Sequence, residues 1–370
     1  MKHLLIIFLI AIPSVLFSQN TQESSRGTSG SNQPMSQQQD TAAKPPITLY
    51  KMISVDRDTI ILDTSLTIQK EYKFNYLRKD NFELLPFNNV GQTYNSLARD
   101  IKSEILIPQF AAQARHFNFM EVDDIYYYQV PTPLTEVYFK TVPEQGQNLD
   151  AFFTMNTSER LNFSIAYKGL RSLGKYQNSL TSTGNFRATF SYNTKNDNYR
   201  IKTHFVSQDL LNRENGGLSD IALQQYLEKD PEFDDRSLLE MKYENAENIL
   251  YGKRFYLDHE YDLVKGVNNT ITINHVLNFS DQKYIFRQDV AIPELYGTSF
   301  RASNLEDRVL SRHIKNVVGL SYKNSVFGKL TAKGQYSYYN YGYNSVLYID
   351  EQKVNNRIKG ENYGFGAEYE

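Results

Sequence analysis

Between Asn185 and Phe205 the sequence runs NFRATFSYNTKNDNYRIKTHF. Phe186, Ala188, Phe190 and Tyr192 alternate with Arg187, Thr189, Ser191 and Asn193; after Thr194–Asp197 the alternation resumes with Tyr199, Ile201, Thr203 and Phe205 against Arg200, Lys202 and His204. A period of two defines two strands with unlike faces. A hairpin closed by residues 194–197 places Tyr192 opposite Tyr199, Phe190 opposite Ile201, Ala188 opposite Thr203 and Phe186 opposite Phe205. The other face pairs Ser191 with Arg200, Thr189 with Lys202 and Arg187 with His204. No soluble core accepts that charge without counter-ions. An apolar outside and a wet, charged inside is the requirement of a transmembrane antiparallel β-barrel.

The same design recurs outward from this hairpin. Leu149, Ala151, Phe153 and Met155 continue, across a turn at 157–159, into Leu161, Phe163, Ile165 and Tyr167. A third hairpin carries Phe255, Leu257, His259, Tyr261 and Leu263, then Ile271, Ile273, His275, Leu277 and Phe279, with Arg254, Asp258, Glu260, Asp262 and Thr272 on its other face. A fourth sets Val318, Leu320 and Tyr322 against Leu330, Ala332, Gly334, Tyr336 and Tyr338. Turns within hairpins are short, whereas the connections 169–184, 208–248, 281–310 and 341–360 are long. Outer-membrane barrels sort their connections by end in this way, and a soluble sandwich has no reason to. Adding 134–142 as partner of 148–156, the pattern predicts about ten strands. The run Tyr363, Phe365, Ala367, Tyr369 is still alternating at Glu370, so C-terminal strands missing from this chain are expected.

Composition agrees. Aromatics are 14% of the residues, with 28 Tyr, 22 Phe and no Trp, while mean hydropathy is −0.54, so amphipathic rings are many and continuous apolar sequence scarce. The long apolar run lies at the start: Lys2 and His3, then Leu4–Phe17 and Ser18, which reads as a signal peptide over 1–18. Residues 19–47 read as a disordered linker of Gln, Ser, Thr, Asn and Gly. Residues 48–133 lack strict alternation and read as an N-terminal non-barrel segment, lying in the periplasm or plugging the barrel; residues 134–370 are the transmembrane β-barrel. Zero cysteines exclude disulfides and thiolate metal sites, and a net charge of −2 gives no reason to expect nucleic acid.

KEYKFNYLRKDNFELLPFNNVGQTYNSL (70–97), YYYQVPTPLTEVYFKT (126–141), NTSERLNFSIAYKGLRSLGKYQ (156–177) and STGNFRATFSYNTKN (182–196) resemble the putative porin family of Bacteroidota outer membranes. The resemblance is dense over 49–220 and implies an outer-membrane barrel classed as a porin, without enzyme activity, catalytic residues or cofactors. Its expected work is passive diffusion of small hydrophilic solutes. The alternative is a non-conducting barrel that docks partner proteins through 48–133 or its loops; a barrel hydrolase is the remote third. Expected partners are outer-membrane lipid, the solutes, and a second copy or other proteins.

For the pore, the parity places Arg187, Arg200, Lys202 and Arg254 on the lumen face. The connection 208–248 holds eleven acidic residues against four basic ones, among them Asp230, Glu232, Asp234 and Asp235, with helical patterns at 220–229 and 236–247. Folded inward it would form a constriction; folded outward, a solvated cap. His259 and His275 fall on the lipid face as near-diagonal neighbours, where no carboxylate completes a metal site, so none is expected. Tyr192, Tyr199, Tyr167, Tyr322, Tyr336 and Tyr338 read as an interfacial girdle. Asp258 and His259 point to opposite faces, and no hydrolase or nucleotide-binding motif is present.

Overall fold

A computed structural model describes residues 45–63, 67–98, 118–289, 305–349 and 352–370. The expected signal peptide and nearly all of the expected linker lie outside these residues. No described helix is long and apolar enough to cross a membrane.

In its described residues the N-terminal segment holds short strands and short 3-10 helices (Ile47–Leu49, Ile68–Lys73 and Val122–Asp124). β1 (Lys51–Ile53) pairs with β2 (Thr59–Ile61), and β3 (Leu84–Pro86) with β4 (Tyr94–Ser96); β5 (Tyr127–Gln129) returns to the free side of β1, making a three-stranded sheet ordered β2-β1-β5. The wall follows: β6 (Leu134–Val142), β7 (Gly146–Ser158), β8 (Leu161–Ser172), β9 (Thr181–Asn193), β10 (Tyr199–Glu214), β11 (Ala246–Lys265), β12 (Asn269–Gln288), β13 (Leu305–Asn324), β14 (Gly328–Ile349) and β15 (Gln352–Tyr369). These form one antiparallel meander of ten strands, each bonded to its sequence neighbours, with β6 and β15 at its edges. The chain is therefore an all-β, antiparallel barrel protein with an N-terminal segment outside the wall. Neighbour-to-neighbour pairing satisfies the backbone groups along every inner strand, which hydrocarbon demands.

The four hairpins keep the predicted faces. Phe153 pairs with Ile165, Phe255 with Phe279, Leu257 with Leu277, and Leu320 with Ala332. The hairpin at 185–205 keeps its faces but not its partners: Tyr192 meets Ile201, Phe190 meets Thr203 and Ala188 meets Phe205, a slip of two residues. The turn itself causes it. The Thr194 amide donates to the Tyr199 carbonyl at 3.0 Å and the Thr194 hydroxyl accepts from the Tyr199 amide at 3.1 Å, so the loop is 195–198, with Asp197 at φ 52°. A slip of two preserves parity, so no side chain changed face.

Strand length departs further from the sequence expectation. β11, β12 and β13 have 20 residues each and β14 has 22. At about 3.3 Å per residue such strands run roughly 65 Å, well past the hydrocarbon layer. The predicted long connections therefore shrink to 173–180 and 215–245, and the expected connection 341–360 is strand on both sides, since β14 ends at Ile349 and β15 begins at Gln352. The turn at 143–145 is also short and lies on the long-loop side, so loop length does not alternate without exception. Beyond the membrane both faces of a strand are wet, so hydropathy ceases to alternate although pairing continues. Asp281 and Arg312, joined at 2.9 Å on the outward face, mark that change.

The connection 215–245 carries helix α1 (Asp220–Glu228). Its N-cap Ser219 accepts from the Ala222 amide at 3.2 Å, and it stops at Lys229, which takes a left-handed conformation. The second expected helix, 236–247, is absent: a single turn at Arg236–Leu238 precedes an extended run bonded back to 215–219, as in Lys242 to Gly217 and Tyr243 to Asn215, and β11 starts at Ala246. Leu239 and Met241 bury against Ala222 in a small core of the loop's own, which an extended run reaches and a helix would turn away from.

Candidate functional site

The polar face of β7–β11 is where the chain concentrates its chemistry, and described parts of the N-terminal segment lie against it. At the short-turn end, Asp258, Glu260 and Asp262 occupy alternate positions of β11, so all three carboxylates share the inner face. Arg200 bonds Glu260 and grips Asp262 with two nitrogens, at 2.9 and 3.0 Å; Thr272 donates to Asp262 at 2.8 Å. The second cation comes from the N-terminal segment. Arg57, at the tip of the β1–β2 turn with φ 73°, bonds Glu260 and lies 3.3 Å from Asp258. Lys202 donates to the Ser54 carbonyl at 3.3 Å and stands over the Tyr127 ring.

One step up the wall, the His204 ring stacks on Tyr256 with centroids 4.8 Å apart. Arg254 donates from Nε to His204 Nε2 at 3.3 Å. That nitrogen must accept, so the ring proton sits on Nδ1 and points to the Tyr127 oxygen at 2.9 Å. Arg254 also donates to the Glu121 carbonyl at 2.8 Å, and Gln208 bonds the Met120 backbone in both directions. Burial pushes the Tyr127 phenol well above its ordinary value, so it stays a neutral hydrogen-bonding group.

At the long-loop end, the Tyr76 hydroxyl meets Thr183 at 3.2 Å, its phenol likewise raised by burial; Thr181 donates to the Val90 carbonyl at 2.6 Å. Asn89 donates to the Ser172 and Ser179 carbonyls and accepts from the Ser172 hydroxyl. Gly91 (φ +90°) sits where a Cβ would strike Leu170 and Thr181. The segment is thus bonded from one end of the polar face to the other.

The four predicted lumen cations are all on this face, and each is engaged. Arg187 lies 3.6 Å from Asp150 and touches the Met120 sulfur; Arg200, Lys202 and Arg254 hold the contacts above. The acidic residues of 215–245 are not brought to them. Asp230 and Asp235 accept from the Glu232 and Ser237 amides, which lowers the Asp235 carboxyl, while Glu232 and Asp234 are exposed. The loop instead bonds the neighbouring connection: Gln177 to the Ser237 carbonyl, Asn178 to that of Tyr243, and Arg236 over the Tyr176 ring.

His259 and His275 are direct partners across β11 and β12, not diagonal neighbours, with Nε2 and Nδ1 3.0 Å apart. Tyr199 and Asn316 extend the row at 3.3 Å each. Among the described residues no cluster of three or more His, Cys, Asp or Glu side chains is arranged to hold a metal. Asp258 turns inward to Arg57 while His259 turns outward, so the adjacent pair cannot work together.

A sequence model of the family described as putative porin matches residues 46–370. The chain belongs to the putative porin family. The match takes in the N-terminal segment and the wall together, and makes the chain a porin-like outer-membrane protein. No curated protein matches the chain.

Sequence reasoning missed Arg57, Tyr127, Asp150 and Lys168 as members of this site. Parity alone would have put Asp150 and Lys168 inward, opposite Ala151 and Tyr167. Arg57 and Tyr127 carry no such signal, since their neighbours do not alternate.

Proposed function

We propose that this porin-family protein is exported by its N-terminal signal peptide, inserts in the outer membrane, and lets small hydrophilic solutes diffuse along the polar face of its wall. Residues 48–133 act in this reading as a plug. The observation that carries it is the two-faced wall, apolar outside and charged inside, with Arg187, Arg200, Lys202 and Arg254 lining the route and the segment bonded to the same face. Solutes would pass between segment and wall, where charged side chains replace part of their hydration. Asp230, Glu232, Asp234 and Asp235 serve as a solvated cap over the 173–180 connection.

Liposome swelling tests the route: proteoliposomes swell in small sugars at rates that fall with sugar size. In planar bilayers the reversal potential shifts when Arg187, Arg200 and Lys202 are changed to Ser. A tight, non-swelling vesicle rejects diffusion. The dense bonding between segment and wall favours, in that event, a sealed barrel that docks partner proteins.

A further inference from the structure

Between the N-terminal segment and β7–β9 lies a cavity of about 660 Å³, within the usual range of small-molecule sites, roughly 300–1,000 Å³. Five of its lining side chains are Lys or Arg and three are Asp. Asp150, Lys168 and Arg187 form its wall, with Asp150 directly opposite Lys168 in the ladder, and Arg78 enters from the segment.

Two of these cations, Lys168 and Arg78, lack part of the partners their burial calls for. Lys168 is 4% exposed, yet its Nζ contacts only the Leu77 carbonyl, at 3.3 Å, and the Tyr76 ring face; among the described residues no carboxylate is within ion-pair distance. Arg78 donates one nitrogen to Glu136 at 2.6 Å and lies over the Tyr138 ring, while its Nε and Nη1 are buried without a hydrogen-bond partner. Asp150 stands 3.9 Å from Arg78 and 3.6 Å from Arg187, too far for a strong bond to either. Buried cations and donors left in this state cost stability unless an acceptor enters. Tyr128, whose phenol is pushed up to about 12 by burial, and Tyr72 add neutral ring surface to the lining.

We infer that this cavity binds a small hydrophilic solute carrying a carboxylate or phosphate, its anionic group placed among Arg78, Lys168 and Arg187. The inference rests on the diffusion reading for its biological sense, and makes the site a selective station for anions on that route. Guanidinium groups suit planar or tetrahedral anions, and a buried ammonium adds a point charge that a neutral solute cannot answer.

Titration calorimetry on the full chain in detergent, with D-glucuronate, D-glucose and inorganic phosphate as probes, tests it. Glucuronate is expected to bind saturably, phosphate to displace it, and glucose to bind at least roughly tenfold more weakly, the worth of about one charge-assisted bond. Lys168→Met and Arg78→Gln should each weaken glucuronate roughly 10- to 100-fold and so narrow or abolish its advantage over glucose. Equal affinity for glucuronate and glucose on the wild-type chain overturns the site without reliance on any variant, as does failure of phosphate to compete. Swelling assays on the same preparation keep the two readings apart. Binding without swelling refutes diffusion and leaves the site; swelling without glucuronate binding refutes the site and leaves diffusion.

Discussion

Replacing Arg57 by Ala removes a side chain of the N-terminal segment that reaches the carboxylates of β11. Glu260 keeps Arg200, but Asp258 loses its guanidinium. The magnitude follows from exposure. The Arg57 side chain is 40% exposed, whereas those of Asp258 and Glu260 are 8% and 9% exposed. Exposed pairs contribute about 0.2–1 kcal/mol and breaking a buried one costs about 3–5, so this mixed case lies near 1–2 kcal/mol. That raises the undocked population of the β1–β2 turn roughly 5- to 30-fold. Hydrogen exchange reads it directly: amides bonded across the turn, such as Ser54 to Asp58, should exchange faster by that factor while β8–β10 amides hold their rates. Adding Asp258→Asn should recover part of the loss, because the buried charge left behind, and not only the missing contact, carries the penalty. Unchanged exchange in Arg57→Ala would refute the claim that this pairing holds the segment to the wall.

Gly91→Ala is expected to weaken docking at the opposite end by about 1–3 kcal/mol, since φ +90° is strained for Ala and the new methyl meets Leu170 and Thr181; faster exchange at the Gln92 amide checks it. His259→Leu should destabilise the folded chain by about 1–3 kcal/mol by stranding the His275 nitrogen in an apolar surround, whereas His259→Leu with His275→Leu should be close to neutral. A denaturation series in detergent or bilayer measures the non-additivity. Ser219→Ala removes the cap of α1 and should cost the loop about 1 kcal/mol, seen as faster exchange over 220–228 with swelling rates unchanged.

What the sequence by itself determined is which face the residues of the alternating stretches take. Parity survives a slip of two at 195–198, so Phe255 and Arg254 were assignable before any partner was known; a bulge between Asp262 and Val264 shifts it by one, and Val264 takes the place opposite Ile271 that the pattern gave to Leu263. Helix α1 was legible for a related reason, because Ser219, Asp220 and the spacing of Ala222, Tyr226 and Leu227 act within one short window. Partners, strand ends and counter-ions were not. Alternation of hydropathy reports the hydrocarbon layer and falls silent where a strand leaves it, so the adjoining ends of β14 and β15 hid inside an apparent loop. The contacts of the N-terminal segment were invisible for a stronger reason. Arg57 meets Glu260, and Tyr127 meets His204, across separations in the chain that no local pattern encodes. Only packing brings a segment without periodicity against a wall that has it, and the cavity residues between them, Arg78, Lys168 and Asp150, exist as a group in the tertiary structure alone.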